Sequence, residues 1–196
     1  MLIDLHCHTR PLSACSALDA DELARLARSR GLDAICLTEH DRAWPEDELR
    51  ELRGRTGFPI FSGVELTTDI GHILAFGLAG TTGYSAIGRE VHQAALECGA
   101  ILFLAHPARD GLLTVSHETV EYFASVEAIN GSDSRLQNMA ASGLAHGFRL
   151  PGIGGSDAHT PAEAGRAATR FTRRIETQAE LLEALRAGAY EAVAIE

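Results

Sequence analysis

Two histidines one residue apart, His6 and His8, follow directly on the short apolar run Met1-Leu2-Ile3. In a strand, alternate side chains share a face, so this pair can point both imidazoles at one ion while Leu5 and Cys7 face the other way. An H-x-H pair alone is a weak signal. Here it is joined by Glu39-His40-Asp41, Gly63-Val64-Glu65, Gly71-His72, Ala105-His106-Pro107 and Gly155-Ser156-Asp157-Ala158-His159, each close to an apolar run of strand length. Imidazole nitrogens with carboxylate oxygens suit divalent Zn, Mn or Fe, and ligand type alone does not choose among them. A divalent ion held this way can turn water into a nucleophile near neutral pH, so no nucleophilic side chain is required.

The elements that must position these groups alternate along the chain. Strands are expected from the run 1–3 into His6 and His8, and over residues 34–37, 60–66, 72–76, 101–104, 126–129, 167–171 and 191–195, read from short apolar runs between turn signals. Helices are expected from a cap at Asp19 or Asp21 to Gly31, over 46–52 behind Pro45, over 84–98 stopped by Gly99, around 117–123, over 134–146 and over 177–187. A turn between residues 66 and 72 would let Glu65 and His72 meet across a hairpin. Short buried strands alternating with helices indicate parallel α/β architecture, and polar residues collected at strand carboxyl ends favour a barrel with its site on that face. A doubly wound sheet would place ligands similarly, but neither G-x-G-x-x-G nor G-x-x-x-x-G-K-[ST] occurs.

Length and composition narrow the function classes. The 196 residues are ample for a single domain, with no linker or charge run dividing them. No apolar run approaches transmembrane length, and Met1-Leu2-Ile3-Asp4 lacks a basic n-region, so the expectation is a cytoplasmic protein without a signal peptide. A net charge of −10 argues against tracking along duplex nucleic acid. Small phosphates remain compatible, because bound cations reverse the local field. Cys7, Cys15, Cys36 and Cys98 form no C-x-x-C pair; Cys36 and Cys98 read as small buried hydrophobes.

Taken in order, Asp4-Leu5-His6-Cys7-His8-Thr9, Thr38-Glu39-His40-Asp41, Gly63-Val64-Glu65 with His72, Ala105-His106-Pro107 and Gly155-Ser156-Asp157-Ala158-His159 resemble the motifs of the PHP (polymerase and histidinol phosphatase) superfamily of metal-dependent phosphoesterases. The resemblance spans nearly the whole chain and implies a distorted (β/α)7 barrel forming one catalytic domain over residues 1–196. It further implies that His6, His8, Glu65 and Asp157 bind one metal, that Glu65 bridges to a second held by His72 and His106, and that His40 and His159 contribute to a third position. Two or three divalent transition-metal ions (Mn, Zn or Fe) follow as cofactors, with a small phosphorylated metabolite or nucleotide as substrate. Where some members carry another histidine, this chain has Ser13-Ala14-Cys15-Ser16, which leaves Cys15 as a ligand or the third position weak or empty. The same ligands also suit hydrolysis of a non-phosphate bond, and a metal-retaining regulatory module is a third reading.

Around that set, His159 or His40 is the candidate proton donor to a leaving oxygen. Arg109, three residues after His106, is the first candidate for a phosphate clamp, ahead of Arg10, Arg42 and Arg135. Glu39 and Asp41 read as partners that orient an imidazole, and Asp4 as a buried acceptor. His92, His117 and His146 are placed outside the site.

Overall fold

The computed structural model describes residues 1–109 and 118–195. The first half of the chain runs β1 (Leu2–Cys7), α1 (Ala20–Ser29), β2 (Ala34–Leu37), α2 (Glu46–Thr56), β3 (Ile60–Ser62), β4 (Val64–Thr68), β5 (Gly71–Phe76) and α3 (Gly88–Cys98). The second half runs β6 (Ile101–Leu104), β7 (Ser125–Asn130), α4 (Arg135–Ala145), β8 (Ile153–Gly155), β9 (Ala167–Phe171), α5 (Gln178–Ala187) and β10 (Tyr190–Ala194). A single 3-10 turn, Val120–Tyr122, stands where a helix over 117–123 is expected; His117 lies outside the described residues.

The strands form two five-stranded sheets, ordered β10-β9-β1-β2-β3 and β4-β5-β6-β7-β8. Within them β1-β2-β3 and β6-β7-β8 run parallel, while β1-β9, β9-β10, β4-β5 and β5-β6 are antiparallel. The fold is mixed α/β: beside the expected parallel strands stand four antiparallel pairs, of which β4-β5 is the hairpin expected between Glu65 and His72. Among the described residues no ladder closes the strands into a ring, so a closed barrel is not what the hydrogen bonds draw. The sheets meet instead through isolated bridges, Cys7 to Ala158 and His40 to Glu65, both beside the site. No helix among the described residues is long and apolar enough to cross a membrane.

Local sequence explains most element ends. Asp19 caps α1 by accepting from Glu22 N–H at 2.8 Å. Ser134 and Thr177 start α4 and α5 with reciprocal capping boxes to Gln137 and Glu180. Helix α3 begins at Gly88 rather than residue 84, because Asp69 Oδ1 takes the Gly88 N–H at 2.7 Å and Ser85 Oγ takes that of Ile87 at 3.1 Å.

Two departures from the simple strand pattern shape the site. The expected strand over 60–66 divides at Gly63, where the chain leaves β2 and pairs with β5; a Cβ there would sit 2.9 Å from the Phe76 ring. Strand β1 carries an irregularity between Asp4 and Cys7. Its alternation therefore breaks: Ile3 and Leu5 pack in one core cluster with Phe76 and Phe103, while Cys7 joins another with Leu23 and Leu37. Leu5 and Cys7 thus do not share one face opposite the histidines. Cys36 is buried as expected, but Cys98 at the end of α3 is exposed.

Candidate metal centre

All eight residues named from sequence as ligands converge. Their donor atoms fall into three groups, each within 4.8 Å: His6, His8 and Asp157; Glu65, His72 and His106; and His8, His40 and His159. Strand ends deliver them. His6 lies in β1 and His8 just past it, Glu65 lies in β4 and His72 in the antiparallel β5, and His106 and Asp157 each follow the end of a parallel strand by two residues. In the β4-β5 ladder Glu65 stands opposite Leu74, so His72 is its diagonal neighbour and reaches it at 3.0 Å.

Glu65 divides its two oxygens between the groups. Oε1 is 3.0 Å from both His72 Nδ1 and His106 Nε2. Oε2 faces the other side, 3.0 Å from His40 Nδ1, 3.3 Å from His8 Nε2 and 3.4 Å from His6 Nε2, yet it is buried and makes no hydrogen bond of acceptable geometry. An orphaned carboxylate oxygen is expensive to bury. Ringed by imidazole nitrogens, it fits a cation, and the nitrogen and oxygen donor set is one that divalent transition metals accept.

The electrostatics lead to the same conclusion. Burial alone would lower the basicity of His6, but Glu127, Asp157 and Glu65 outweigh it and raise the ring well above its ordinary pKa. His8 is raised likewise, burial being outweighed by Asp157 and Glu65. Burial works against ionising Glu65 and Asp157, yet His6 and the neighbouring imidazoles hold both carboxyls low. The buried carboxylates thus call for positive charge, which protons supply when a metal does not. His159 moves the opposite way, lowered by burial and by His8, and its Nδ1 lies 3.0 Å from the Asp157 carbonyl oxygen.

Residues that sequence reasoning passed over hold these candidate ligands. Glu127 in β7 contacts His6 Nδ1 at 2.9 Å and accepts from His106 N–H at 2.9 Å. The signal was a single carboxylate inside an otherwise apolar strand. Asn130 reaches both Glu127 Oε2 at 2.9 Å and Asp157 Oδ2 at 3.3 Å. Ser13 Oγ donates to Glu39 at 2.5 Å and lies 3.3 Å from His8 Nδ1. Glu39 therefore orients an imidazole through a hydroxyl, as well as accepting from Thr9 and Trp44.

Other assignments change. Asp41 accepts from Thr67 N–H at 2.8 Å and so braces β4 rather than an imidazole. Asp4 is a buried acceptor for Ser156 N–H at 2.8 Å and His6 N–H at 3.2 Å, and burial pushes its carboxyl up to about 6. Arg109 is not simply a clamp awaiting phosphate: Nε donates to Asp133 at 2.8 Å and Nη2 to Asp157 at 2.5 Å. Arg10, Arg42 and Arg135 are exposed. Cys15 is exposed and belongs to none of the ligand groups among the described residues. His92 stacks on Tyr122, and His146 is exposed at the end of α4, both outside the site.

Comparison with known proteins bears on the fold. No curated protein matches the chain in sequence. Residues 135–190 match the PHP-associated family model, PHP_C. A two-domain protein from Bacteroides vulgatus ATCC 8482, containing a predicted PHP-like metal-dependent phosphoesterase, superposes with a TM-score of 0.75 at 21% identity; the match covers 100% of this chain and 65% of that one. PsfC from Pseudomonas syringae PB-5123 gives 0.73 at 19% identity, covering 98% and 91%. An amidohydrolase from Chromobacterium violaceum, with sulfate bound and no metal, gives 0.64 at 18% identity, covering 99% and 98%. The chain therefore shares the fold of these solved structures, and residues 135–190 are similar to the PHP-associated model.

Proposed function

We propose that the protein is a metal-dependent phosphoesterase that hydrolyses a small phosphorylated metabolite or nucleotide. The observation that carries this reading is the division of Glu65 between two ligand groups, with one oxygen paired to His72 and His106 and the other buried among three imidazoles. His6, His8, Asp157 and Glu65 would hold one divalent ion, Glu65, His72 and His106 a second, and His8, His40 and His159 a third. Bound Mn, Zn or Fe supplies Lewis acidity, lowering the pKa of water and stabilising charge on a phosphoryl oxygen.

The chain's own groups complete the chemistry. His159 and His40, each partly exposed, are the groups able to pass a proton to the departing oxygen. Among the described residues Arg109 donates to Asp133 and Asp157, and a further N–H of its guanidinium would bind a phosphate oxygen at the edge of the site. Glu65, 1% exposed, would bind from a buried position in the site.

Amide hydrolysis is the second reading, favoured by the amidohydrolase among the structural neighbours. Elemental analysis after loading with Mn or Zn, followed by a panel of phosphate esters and amides with and without chelator, separates the two. Chelator-sensitive phosphate release is expected. Turnover of amides alone would transfer the assignment, and less than one ion bound per chain would remove both.

A further inference from the structure

Glu127 is fully buried and uses both oxygens inside the protein. Oε1 lies 2.9 Å from His6 Nδ1, and Oε2 accepts at 2.9 Å from both His106 N–H and Asn130 Nδ2. An ionised carboxylate only accepts, so the hydrogen in the contact with His6 must sit on Nδ1. In the neutral ring Nε2 then keeps its lone pair. That nitrogen is the one turned toward His8 Nε2 at 3.1 Å and toward Glu65 Oε2 and Asp157 Oδ1, both at 3.4 Å.

We propose that Glu127 is the positioning residue that locks His6 in its metal-binding tautomer, while its other oxygen holds the main chain of His106, a ligand of the second group. One carboxylate thereby aims a donor in each half of the site. The proposal rests on the metal-dependent reading given above. It differs from a packing role in one respect: packing needs only an acceptor for His106 and Asn130, whereas tautomer control needs a second acceptor facing His6 at the same time.

Glu127→Gln separates these roles because it keeps the shape and one acceptor. Its amide nitrogen must face either His6 Nδ1, forcing the proton onto Nε2, or the two donors at His106 and Asn130. Zinc affinity, measured by competition with a chromophoric chelator, is expected to fall about 10- to 100-fold in this variant. Added to His6→Ala, the same substitution is expected to cause no further loss, since its oxygen can then turn to His106 and Asn130 unopposed. An equal loss in both backgrounds would assign Glu127 to packing and overturn the proposal, as would wild-type zinc affinity in Glu127→Gln.

A measurement on the unmutated protein stands independently of how the variants fold. With 15N-labelled histidine and zinc bound, His6 should show a protonated Nδ1 and a metal-bound Nε2. The opposite arrangement overturns the proposal while leaving metal binding intact. Failure of the wild type to bind zinc at all would instead sink the reading on which it rests.

Discussion

Gly155 offers a test of how closely the fold fixes the site. It ends β8 against β1, and a Cβ built there would lie 2.4 Å from His6 Cβ, 2.5 Å from His6 N and 2.9 Å from His6 Cα. Carbon atoms settle at about 3.5–4.0 Å, so Gly155→Ala must part the two strands by roughly 1 Å. The bonds that cross this seam, from Asp157 N–H to His6 O at 2.6 Å and from His8 N–H to Ala158 O at 3.1 Å, lie on the path of that movement. Ligand distances at a metal hold to about 0.2 Å, so His6 and Asp157 would both leave the tolerated range.

Overpacking of this kind costs about 1–3 kcal/mol, and at about 2–4 °C per kcal/mol the melting temperature should fall by roughly 2–12 °C. Thermal unfolding of the metal-free variant measures the packing effect. Zinc competition on the folded variant measures the displacement of the ligands, which should exceed that caused by substitution on a distant element. A variant that melts with the wild type and binds zinc as tightly would refute the claim that the β1-β8 approach sets the ligand geometry.

Glu65→Gln should abolish hydrolysis more completely than His159→Ala, because Glu65 sets one oxygen against His72 and His106 and the other against His6, His8 and His40; comparable residual rates in two variants with native circular dichroism would count against the bridge. Arg109→Ala removes the bond to Asp157 Oδ2 and should lower kcat/KM by the worth of a charge-assisted hydrogen bond, about 1.5–3 kcal/mol, with weakened zinc binding as well. Unchanged metal content would favour the phosphate clamp alone, and Arg109→Lys should recover only part of the loss. Thr177→Ala takes away the α5 capping box and should destabilise the protein by about 0.5–2 kcal/mol without altering zinc affinity; an altered affinity would mean that α5 communicates with the site.

Much of this architecture is legible in the sequence because strand and ligand coincide. The runs at 34–37, 101–104 and 167–171 match β2, β6 and β9 residue for residue; the first two are short and apolar throughout, and the third is short and carries Thr169 and Arg170. The candidate ligands stand out for the same reason: His106 and Asp157 each lie two residues past the end of a short buried strand. What was not legible depends on tertiary pairing. Nothing local marks Gly63 as the point where the chain changes sheets, because the reason is the Phe76 ring on another strand. β8 escaped notice because Ile153-Gly154-Gly155 has almost no side chains to show a period; its glycines are there to let Ala168 and His6 approach. Glu127 was hidden by being read as a strand residue, although a carboxylate within β7 must find donors.

Strain gives the site its remaining definition. Only Asp41, His106 and Asp157 among the described non-glycine residues have positive φ, at 53°, 26° and 52°. Such conformations cost on the order of 1–3 kcal/mol each and persist only where surrounding structure enforces them. Here each strained residue's own amide is what the site captures: Asp41 N–H donates to Glu65 O at 2.8 Å, His106 N–H to Glu127 Oε2 at 2.9 Å and Asp157 N–H to His6 O at 2.6 Å. The three bonds run from loops following β2, β6 and β8 to residues on β4, β7 and β1, so they tie both sheets around one centre. Strain absorbed during folding in this way need not be met again when an ion arrives. On the proposed metal-dependent reading, His106 and Asp157 would meet an ion with their backbone already fixed, so less of the binding free energy would go to ordering the chain.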